Sequence, residues 1–288
     1  MEAPLISIVV PAFNEAQRLQ ETVPQLRTYL ADWPSIEIVI VDDGSTDDTA
    51  KVASRELAGV AHTVVRLPWN QGKGAALRAG VGAARGQTIV FMDADLAAGL
   101  ENLPSLLSGL EDADIAVGSR HLAQSNTHYD NQVRVVCSRW FGRYVRVVTR
   151  IEVSDTQCGF KAFSAGAAKI LFHLAETSGY AMDVELLALA RLLGFTVVEV
   201  PIAWTDKPGS KVRLIHDPAK MAFDVLRLHG RLMRRRRYIA RGTVEPGWLV
   251  RAGNSAVEPA PPALGLLLPL ASPIVDPLGA GAGMSAAS

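Results

Sequence analysis

Short runs of β-branched residues alternate with helix-length amphipathic segments along the first 120 residues, and this alternation constrains the fold most strongly. The predicted strands cover residues 6–10, 36–41, 63–67, 88–92 and 115–117, and the predicted helices cover residues 16–31, 47–58, 74–84 and 100–110. Strands separated by helices of this length form βαβ units and pair mainly in parallel. We therefore predict an α/β fold with a doubly wound, mostly parallel, Rossmann-like sheet that binds ligands at the carboxyl ends of its strands.

Beyond Arg120 the pattern is less regular but still predicts folded structure as far as Arg241. A polar loop at 121–132 precedes a helix-like stretch at 133–150, an extended segment at 158–163, helices at 165–174 and 183–193, a strand at 196–204 and an amphipathic helix at 218–235. Residues 1–241 are therefore predicted to form one domain. Residues 242–288 are rich in Pro, Gly and Ala and show no periodicity, so we predict a disordered tail.

The charge balance and the cysteine content narrow the class of protein. The chain has 29 basic and 29 acidic residues, whereas neutralising nucleic-acid phosphates needs a basic excess, so we expect no nucleic-acid partner. Its two cysteines, Cys137 and Cys158, are too few for a disulfide framework and are typical of a reducing, cytoplasmic compartment. The apolar runs at 5–10 and 263–275 are shorter than the ~20 residues of a membrane-spanning helix, so we predict no transmembrane helix.

Four polar motifs lie between the predicted strands and helices. They are Pro11-Ala12-Phe13-Asn14-Glu15, Val41-Asp42-Asp43-Gly44-Ser45, Asn70-Gln71-Gly72-Lys73-Gly74 and Asp93-Ala94-Asp95. Asp93 and Asp95 follow a strand and, being two positions apart on extended backbone, point the same way. Two close carboxylates repel unless a cation lies between them, so the pair suits Mg²⁺ or Mn²⁺ bound to a diphosphate. A solvated turn or a helix cap explains the pair equally well.

The acids after the second strand have both a structural and a functional interpretation. Ser45 and Asp48 fit a capping box at the start of the second helix. Capping does not require the two acids before the glycine, so Asp42 or Asp43 is a candidate for contact with a nucleoside.

The glycine-rich motif and the first motif are weak signals when taken alone. The glycines on either side of Lys73 would admit phosphate oxygens to the backbone amides, and Lys73 would add positive charge at the helix start. Asn14 can cap the first helix, and Glu15 suits the positive end of the helix dipole.

In this order, the four motifs resemble the nucleotide-sugar-binding half of glycosyltransferase family 2, whose fold is called GT-A. The resemblance extends over residues 5–215 through Gly118-Ser119-Arg120, Asp155-Thr156-Gln157-Cys158-Gly159-Phe160-Lys161, Asp183-Val184-Glu185-Leu186-Leu187 and Gly209-Ser210-Lys211. These later motifs are most similar to the polyprenyl-phosphate hexose synthases, first the dolichyl-phosphate β-glucosyltransferases and then the dolichyl-phosphate mannose synthases. The resemblance divides the predicted domain into a nucleotide-sugar-binding half, 5–120, and an acceptor half, 121–241.

The resemblance also implies roles for individual residues. Donor binding would fall to Pro11, Ala12, Asn14, Glu15, Asp42, Asp43, Lys73, Asp93, Ala94 and Asp95, with Asp93 and Asp95 also binding the metal. Catalysis would use Asp155, Asp95, Arg120 and Lys211, and acceptor or supporting roles would fall to Gln157, Asp183, Glu185, Ser210, Arg139 and Arg143. Relatives often carry a polar metal ligand where this chain has Ala97, which leaves the third ligand open, with His216 as one candidate.

The acceptor decides whether a general base is needed. A hydroxyl must lose its proton as it attacks, whereas a polyprenyl phosphate, with a second pKa near ~6, is already an oxyanion at neutral pH. Catalysis then consists of placing that anion behind the anomeric carbon and stabilising the leaving diphosphate. By resemblance, Asp155 is the first candidate for a base or for organising the acceptor site. Glu185 and Asp183 come next, although Asp183 could simply cap a helix.

Two basic segments suit an anionic membrane surface. Four arginines at 139, 143, 146 and 150 fall on one face of the helix predicted at 133–150. Residues 211–241 contain ten Lys or Arg against two Asp, and Arg231 and Arg234–Arg237 follow an apolar stripe. Both helices could instead pack on the domain and leave their arginines in solvent.

The sequence therefore predicts an inverting, metal-dependent hexosyltransferase with Mg²⁺ or Mn²⁺ as cofactor. The predicted donor is UDP-glucose and the predicted acceptor is polyprenyl or dolichyl phosphate. The protein would be peripheral at the cytoplasmic face of the membrane, held by an anionic lipid surface or by a membrane partner protein. The alternatives are GDP-mannose as donor, a soluble or cell-wall sugar hydroxyl as acceptor, and a non-catalytic nucleotide-sugar-binding module.

Overall fold

The computed structural model of the chain describes residues 5–33, 35–129, 132–207 and 216–240. The predictions made for Ser210, Lys211 and the tail at 242–288 lie outside these residues. The side chain of His216, the candidate third metal ligand, also lies outside the described part.

The strands form one central seven-stranded sheet and a separate pair in the described part of the chain. The central sheet contains β1 (Ile6–Ala12), β2 (Ile36–Asp42), β3 (His62–Arg66), β4 (Thr88–Met92), β5 (Ile115–Ser119), β7 (Phe160–Ser164) and β8 (Val197–Pro201), and the pair is β6 (Asn126–His128) with β9 (Ala203–Thr205). The order in the central sheet is β3-β2-β1-β4-β7-β5-β8. Strand β7 is antiparallel to both neighbours and the other pairings are parallel. The prediction of a mostly parallel α/β fold is confirmed.

Helices cover both faces of the central sheet. They are α1 (Ala16–Leu30), α2 (Thr49–Glu56), α3 (Lys73–Ala83), α4 (Leu103–Ser108), α5 (Gln132–Thr149), α6 (Ala165–Leu174), α7 (Met182–Leu193) and α8 (His216–Ala240). Successive strand residues point to opposite faces, so Val9 and Phe91 join one apolar core while Ile8 and Val90 join the other. Because both faces are buried, the strands read as continuous apolar runs rather than as alternating patterns.

Two local predictions were wrong. Helix α2 begins at Thr49, and its N-cap residue Asp48 makes no side-chain capping hydrogen bond, so the predicted capping box does not form. The single strand predicted at 196–204 is divided between β8, at the edge of the central sheet, and β9, which pairs with β6. Pro201 ends β8, and an edge position tolerates its missing N–H.

Candidate active site

The turns that follow β1 and β2 are tied to each other by side chains. The backbone N–H of Asn14 donates to Ser45 Oγ at 2.9 Å, and Asn14 Oδ1 accepts the backbone N–H of Thr46 at 2.9 Å. Asn14 has φ of 51°, in the left-handed region that asparagine tolerates better than most residues. Asn14 does not cap α1, the alternative that the sequence also allowed, because the N-cap is Glu15 and it makes no side-chain capping bond. The turns after β1 and β2 therefore hold each other in place at the carboxyl end of the sheet.

The two acids at the end of β2 differ in what they bind. Asp43 accepts the backbone N–H groups of Gln71 and Gly72 at 2.7 and 2.8 Å, so both of its oxygens hold the glycine-rich loop. Burial raises the pKa of Asp43, and the two backbone N–H groups oppose that shift. Asp42 Oδ1 accepts the backbone N–H of Ser45 at 2.9 Å. Its Oδ2 is buried without a hydrogen bond, although Arg66 Nε lies 3.3 Å away.

The glycine-rich loop is packed against the segment that precedes α7. Gly72 has φ of 93°, and a Cβ there would lie 2.5 Å from the carbonyl oxygen of Ser178. The N–H of Gly74 donates to that same oxygen at 2.7 Å. Only glycine fits at these contacts, and the loop therefore delivers Lys73 to a fixed place at the start of α3.

Asp93 and Asp95 lie just beyond β4 and line one small cavity. The cavity has a volume of about 20 Å³, and Gly159 lines it where a larger side chain would collide with the carboxylate of Asp93. The backbone N–H of Ala97 donates to Asp95 Oδ1 at 3.0 Å. Burial raises the pKa of Asp95, and the neighbouring charge of Asp93 raises it further. Asp95 is thus held beside a second carboxylate in a place that disfavours its negative charge.

This carboxylate pair fits a small divalent cation. A cavity of this size admits one ion or one water, and carboxylate oxygens are the donors that Mg²⁺ and Mn²⁺ prefer. Among the described residues no group of three or more His, Cys, Asp or Glu could hold a metal. Mg²⁺ is commonly bound by one or two carboxylates together with substrate phosphates and water, so the pair suffices when a diphosphate is present.

Lys73 contacts the first of these carboxylates. Its Nζ lies 2.6 Å from Asp93 Oδ1. Burial lowers the pKa of Lys73, but the carboxylates of Asp93 and Asp183 outweigh burial and hold that pKa above its usual range. Lys73 is therefore a permanent cation at the metal-binding pair.

Arg120 and Asp155 form a second charged pair, at the end of β5. Arg120 Nε and Nη2 donate to the two oxygens of Asp155 at 2.7 and 2.9 Å, and the backbone N–H of Arg120 donates at 3.0 Å. Burial alone raises the pKa of Asp155, but Arg120 outweighs burial and lowers the pKa to about 2. Asp155 is therefore ionised at every physiological pH.

Trp204 on β9 lies between the two charged groups, and sequence reasoning gave it no role. Its ring lines the cavity of Asp93 and Asp95, and its centroid lies 5.3 Å from Arg120 Cζ. Tyr129 also packs against this ring, with 4.9 Å between the ring centroids. A tryptophan at the end of a predicted strand carried no signal that could have identified this position.

Asp183 and Glu185, on the first turn of α7, are engaged in buried contacts. Lys161 Nζ lies 2.6 Å from Asp183 Oδ1, and both side chains are buried. Glu185 Oε2 accepts the backbone N–H groups of Glu176 and Thr177 at 3.0 and 2.6 Å. Glu185 thereby holds the segment that supports the glycine-rich loop. Lys161 ends the motif that begins at Asp155. Its place in the apolar strand Phe160–Ser164 is the signal that could have identified it as a buried lysine.

The remaining predicted residues lie at several places around the site. Pro11 and Ala12 end β1, and Ala94 lies between the two cavity aspartates. Gln157 follows Asp155 closely, and its Nε2 is buried without a hydrogen-bond partner. Arg139 and Arg143 are exposed on α5, and the charge of Arg139 acts on Tyr129, which packs against Trp204. Asn14, Glu15 and Asp95 line an open cleft of about 1320 Å³ that runs along α1.

The outer side of α5 and α8 is an exposed surface of mixed character. We define the α5/α8 surface by its apolar members Val136, Trp140, Val147, Phe223, Leu226 and Met233 and its basic members Arg139, Arg143, Arg146, Arg150, Arg227 and Arg234. Arg143 Cζ lies 5.7 Å from the centroid of the Trp140 ring, and Arg227 Cζ lies 4.4 Å from the centroid of the Phe223 ring. The inner side of α8 packs on the domain through the buried Val225 and Leu228. None of the helices within the described residues combines the length and the apolar character needed to cross a membrane.

Arg231, predicted to belong to the same basic surface, points inward instead. Its Nη2 donates to Thr177 Oγ1 at 2.9 Å and to Glu185 Oε1 at 3.3 Å. This contact fixes α8 to the segment that supports the glycine-rich loop. Amphipathic periodicity could not distinguish this arginine from its exposed neighbours.

The strand order, the acidic strand ends and the antiparallel β7 define a protein of the GT-A class. Residues 7–172 match the family model described as glycosyl transferase family 2. The chain belongs to glycosyltransferase family 2, which confirms the resemblance found in the sequence.

Individual relatives agree with this assignment. The chain is 35% identical over 257 residues to glycosyltransferase AglD of Haloferax volcanii, in an alignment that covers 85% of this chain but 40% of AglD. It is 33% identical over 238 residues to the dolichyl-phosphate beta-glucosyltransferase of Homo sapiens, covering 77% of this chain and 74% of that protein. Glucosyl-3-phosphoglycerate synthase from Mycobacterium tuberculosis, solved with Mn²⁺, UDP and glucosyl-3-phosphoglycerate, has a TM-score of 0.57 at 23% identity over 81% of this chain and 80% of that one. At this identity the likeness shows the fold.

Proposed function

We propose that the chain is an inverting, metal-dependent glycosyltransferase that transfers glucose from UDP-glucose to a polyprenyl phosphate. The observation that carries the proposal is that Trp204 adjoins two charged groups: it lines the carboxylate cavity of Asp93, which Lys73 contacts, and its ring centroid lies 5.3 Å from Arg120 Cζ. A donor diphosphate and an anionic acceptor each need such a cationic or metal-binding group. The name of the human relative supports glucose and dolichyl phosphate as substrates.

The donor side of the proposal assigns roles to the ends of β1, β2 and β4. The buried, unbonded Oδ2 of Asp42 is suited to accept an N–H or O–H group of the nucleoside, beside Pro11 and Ala12. Asp93 and Asp95 would hold Mg²⁺ or Mn²⁺, which when bound supplies positive charge to the leaving diphosphate. Asp43 acts indirectly, because both of its oxygens already hold the glycine-rich loop.

The acceptor side of the proposal does not require a general base. With a pKa of about 2 and both oxygens bonded to Arg120, Asp155 has little tendency to take a proton. A phosphate acceptor does not have to lose a proton before it attacks, because it is already an oxyanion at neutral pH. We assign to Asp155 the role of holding Arg120 in place, and to Arg120 the role of attracting the acceptor phosphate.

A transfer assay tests the proposal. The protein is incubated with Mg²⁺ or Mn²⁺, a short-chain polyprenyl phosphate and each of a panel of radiolabelled UDP- and GDP-sugars, and the organic phase is counted. We expect extractable label from UDP-glucose. If only GDP-mannose gave extractable label, the donor would be GDP-mannose instead of UDP-glucose. Turnover of the donor without a lipid product would indicate a hydroxyl acceptor. Donor binding without turnover would indicate a non-catalytic module.

We further propose that the α5/α8 surface places the protein on an anionic leaflet. Aromatic and aliphatic side chains would enter the headgroup region, and the arginines around them would attract anionic lipids, each by about 1 kcal/mol. Trp140 and Phe223 are 65% and 54% exposed, so entering lipid would remove much apolar surface from water. The chemistry of the acceptor, a lipid phosphate, requires an approach of this kind.

Replacing Trp140 and Phe223 together by Ser should weaken binding to anionic vesicles by about tenfold or more, because each side chain contributes over ~1 kcal/mol of apolar burial. Sedimentation with phosphatidylserine-containing vesicles measures this effect. Leu5→Ser, at an exposed apolar residue outside the α5/α8 surface, is the matched control and should bind like the wild type. Equal binding by the double variant would contradict the proposed surface.

A further inference from the structure

The contact between Lys73 and Asp93 places a side-chain cation on a carboxylate that the proposed function assigns to the metal. Lys73 Nζ lies 2.6 Å from Asp93 Oδ1, which is a close charge-assisted contact. The side chain of Lys73 is 17% exposed, and the packed glycines on either side fix its backbone. Lys73 therefore differs from a surface lysine that visits many partners.

Asp183, a second carboxylate near Lys73, is already paired. Asp183 Oδ1 accepts from Lys161 Nζ at 2.6 Å, and Lys161 is fully buried. Asp93 is thus the carboxylate that Lys73 neutralises in the donor-free protein. Asp95, the second member of the carboxylate pair, makes its contact with the backbone N–H of Ala97.

A divalent cation and the Lys73 ammonium cannot share Asp93 without repelling each other. We propose that Lys73 is an internal counter-cation that occupies Asp93 in the donor-free protein and transfers to the diphosphate when the metal binds, so that metal and diphosphate bind cooperatively. This inference rests on the proposed function, because it takes a nucleoside diphosphate and a divalent cation as ligands of this site. The exchange moves one ammonium group between two anions and neither forms nor breaks a covalent bond.

The position of Lys73 suits such an exchange. It is the first residue of α3, at the positive end of the helix dipole, which favours a phosphate. Its ammonium is carried on a flexible four-carbon stem, so the group can change partner while the backbone stays fixed. A diphosphate beside the metal supplies the replacement anion that Lys73 needs.

Cooperative binding has a measurable consequence. Each ligand should raise the affinity for the other by the same factor, because the coupling between two binding events is reciprocal. Mn²⁺ alone should bind weakly, since it must displace Lys73 without an anion to receive it. UDP alone should also bind weakly, since Lys73 must leave Asp93 uncompensated.

The test compares wild type with Lys73→Met, which keeps the length of the stem and removes the charge. Mn²⁺ affinity without nucleotide is measured from the electron paramagnetic resonance signal of the free ion, and UDP affinity with and without Mn²⁺ is measured by calorimetry. We expect Lys73→Met to bind Mn²⁺ alone about tenfold more tightly and to show a coupling factor reduced by about tenfold. Unchanged or weaker Mn²⁺ binding in this variant would overturn the inference.

Two further variants keep the test decisive. Lys73→Arg retains the positive charge and should bind Mn²⁺ alone as weakly as the wild type; if it bound as tightly as Lys73→Met, the inference would be overturned. Lys51→Met is the matched control, because Lys51 also contacts an aspartate, Asp48, at 2.8 Å but is exposed on α2. It should leave both affinities unchanged, and a shift equal to that of Lys73→Met would refute a role specific to Asp93.

These titrations use neither lipid nor sugar transfer, so they separate the inference from the proposed function. If Lys73→Met lost the coupling between Mn²⁺ and UDP binding and the wild type transferred no hexose, the inference would be supported and the transferase proposal refuted. If the coupling persisted in Lys73→Met and the wild type transferred hexose, the inference would be refuted and the transferase proposal supported. A wild-type protein that binds neither Mn²⁺ nor UDP would overturn both.

Discussion

Asp95→Ala is expected to lower hexose transfer by about a thousandfold, because it removes one of the two carboxylates of the cavity beyond β4. The cation that remains bound to Asp93 alone would stabilise the leaving diphosphate poorly. Transfer of radiolabelled glucose to a short-chain polyprenyl phosphate measures the loss. The fold should survive, since Asp95 makes only one backbone hydrogen bond, to Ala97, among the contacts described.

Asp112→Ala is the matched control for this prediction. Asp112 is an exposed aspartate just before β5, at the opposite end of that strand from Arg120. Its replacement should leave transfer within about twofold of the wild type. Retention of a tenth or more of wild-type transfer in a folded Asp95→Ala protein would show that the cavity does not supply the metal site.

Lys161→Met is expected to lower the free energy of unfolding by about 3–5 kcal/mol, the largest stability effect that we predict. Lys161 and Asp183 are both buried and lie 2.6 Å apart, so removing the lysine leaves a buried carboxylate without the cation that contacts it. The carbonyl oxygen of Cys158 also loses its bond from Lys161 Nζ. Urea denaturation followed by circular dichroism measures the loss.

The double variant Lys161→Met with Asp183→Leu separates the cost of an unpaired charge from the cost of altered packing. Replacing both partners of a buried ion pair by apolar residues is often neutral, so the double variant should recover most of the stability lost in the single one. Lys51→Met, which removes an exposed lysine, should change stability by less than ~0.5 kcal/mol. A double variant no more stable than Lys161→Met would place the damage in the packing around Phe91, whose ring centroid lies 5.1 Å from Lys161 Nζ.

The elements that the sequence predicted well are those with strong local patterns. The strands at 36–41 and 88–92 correspond to β2 and β4 almost residue for residue, because their β-branched, apolar runs require burial on both faces. The placement of Asp93 and Asp95 at a strand end follows from the same pattern. Helix ends were less predictable, since Asn14 forms hydrogen bonds across the β1 and β2 turns instead of capping α1, and Asp48 contacts Lys51 without capping α2.

The partners of the charged side chains could not be predicted from the sequence. Arg120 and Asp155 are 35 positions apart, and Lys161 and Asp183 are 22 apart. Short-range sequence patterns cannot show that such distant residues form ion pairs. The same holds for Arg231, which amphipathic periodicity assigned to an outer surface and which instead bonds Glu185 and Thr177.

The sequence by itself determined the family, the βαβ order and the delivery of acidic side chains to the carboxyl ends of strands, because these depend on residue type and on short-range periodicity. Only the tertiary structure decided which carboxylates are consumed internally, as Asp43 and Glu185 are, and which line the cavity, as Asp93 and Asp95 do. It also decided that Lys73 neutralises Asp93 and that Trp204 lies between the two charged groups. The physical reason is that hydrogen bonds and ion pairs act over a few ångströms, and packing of distant segments sets those distances.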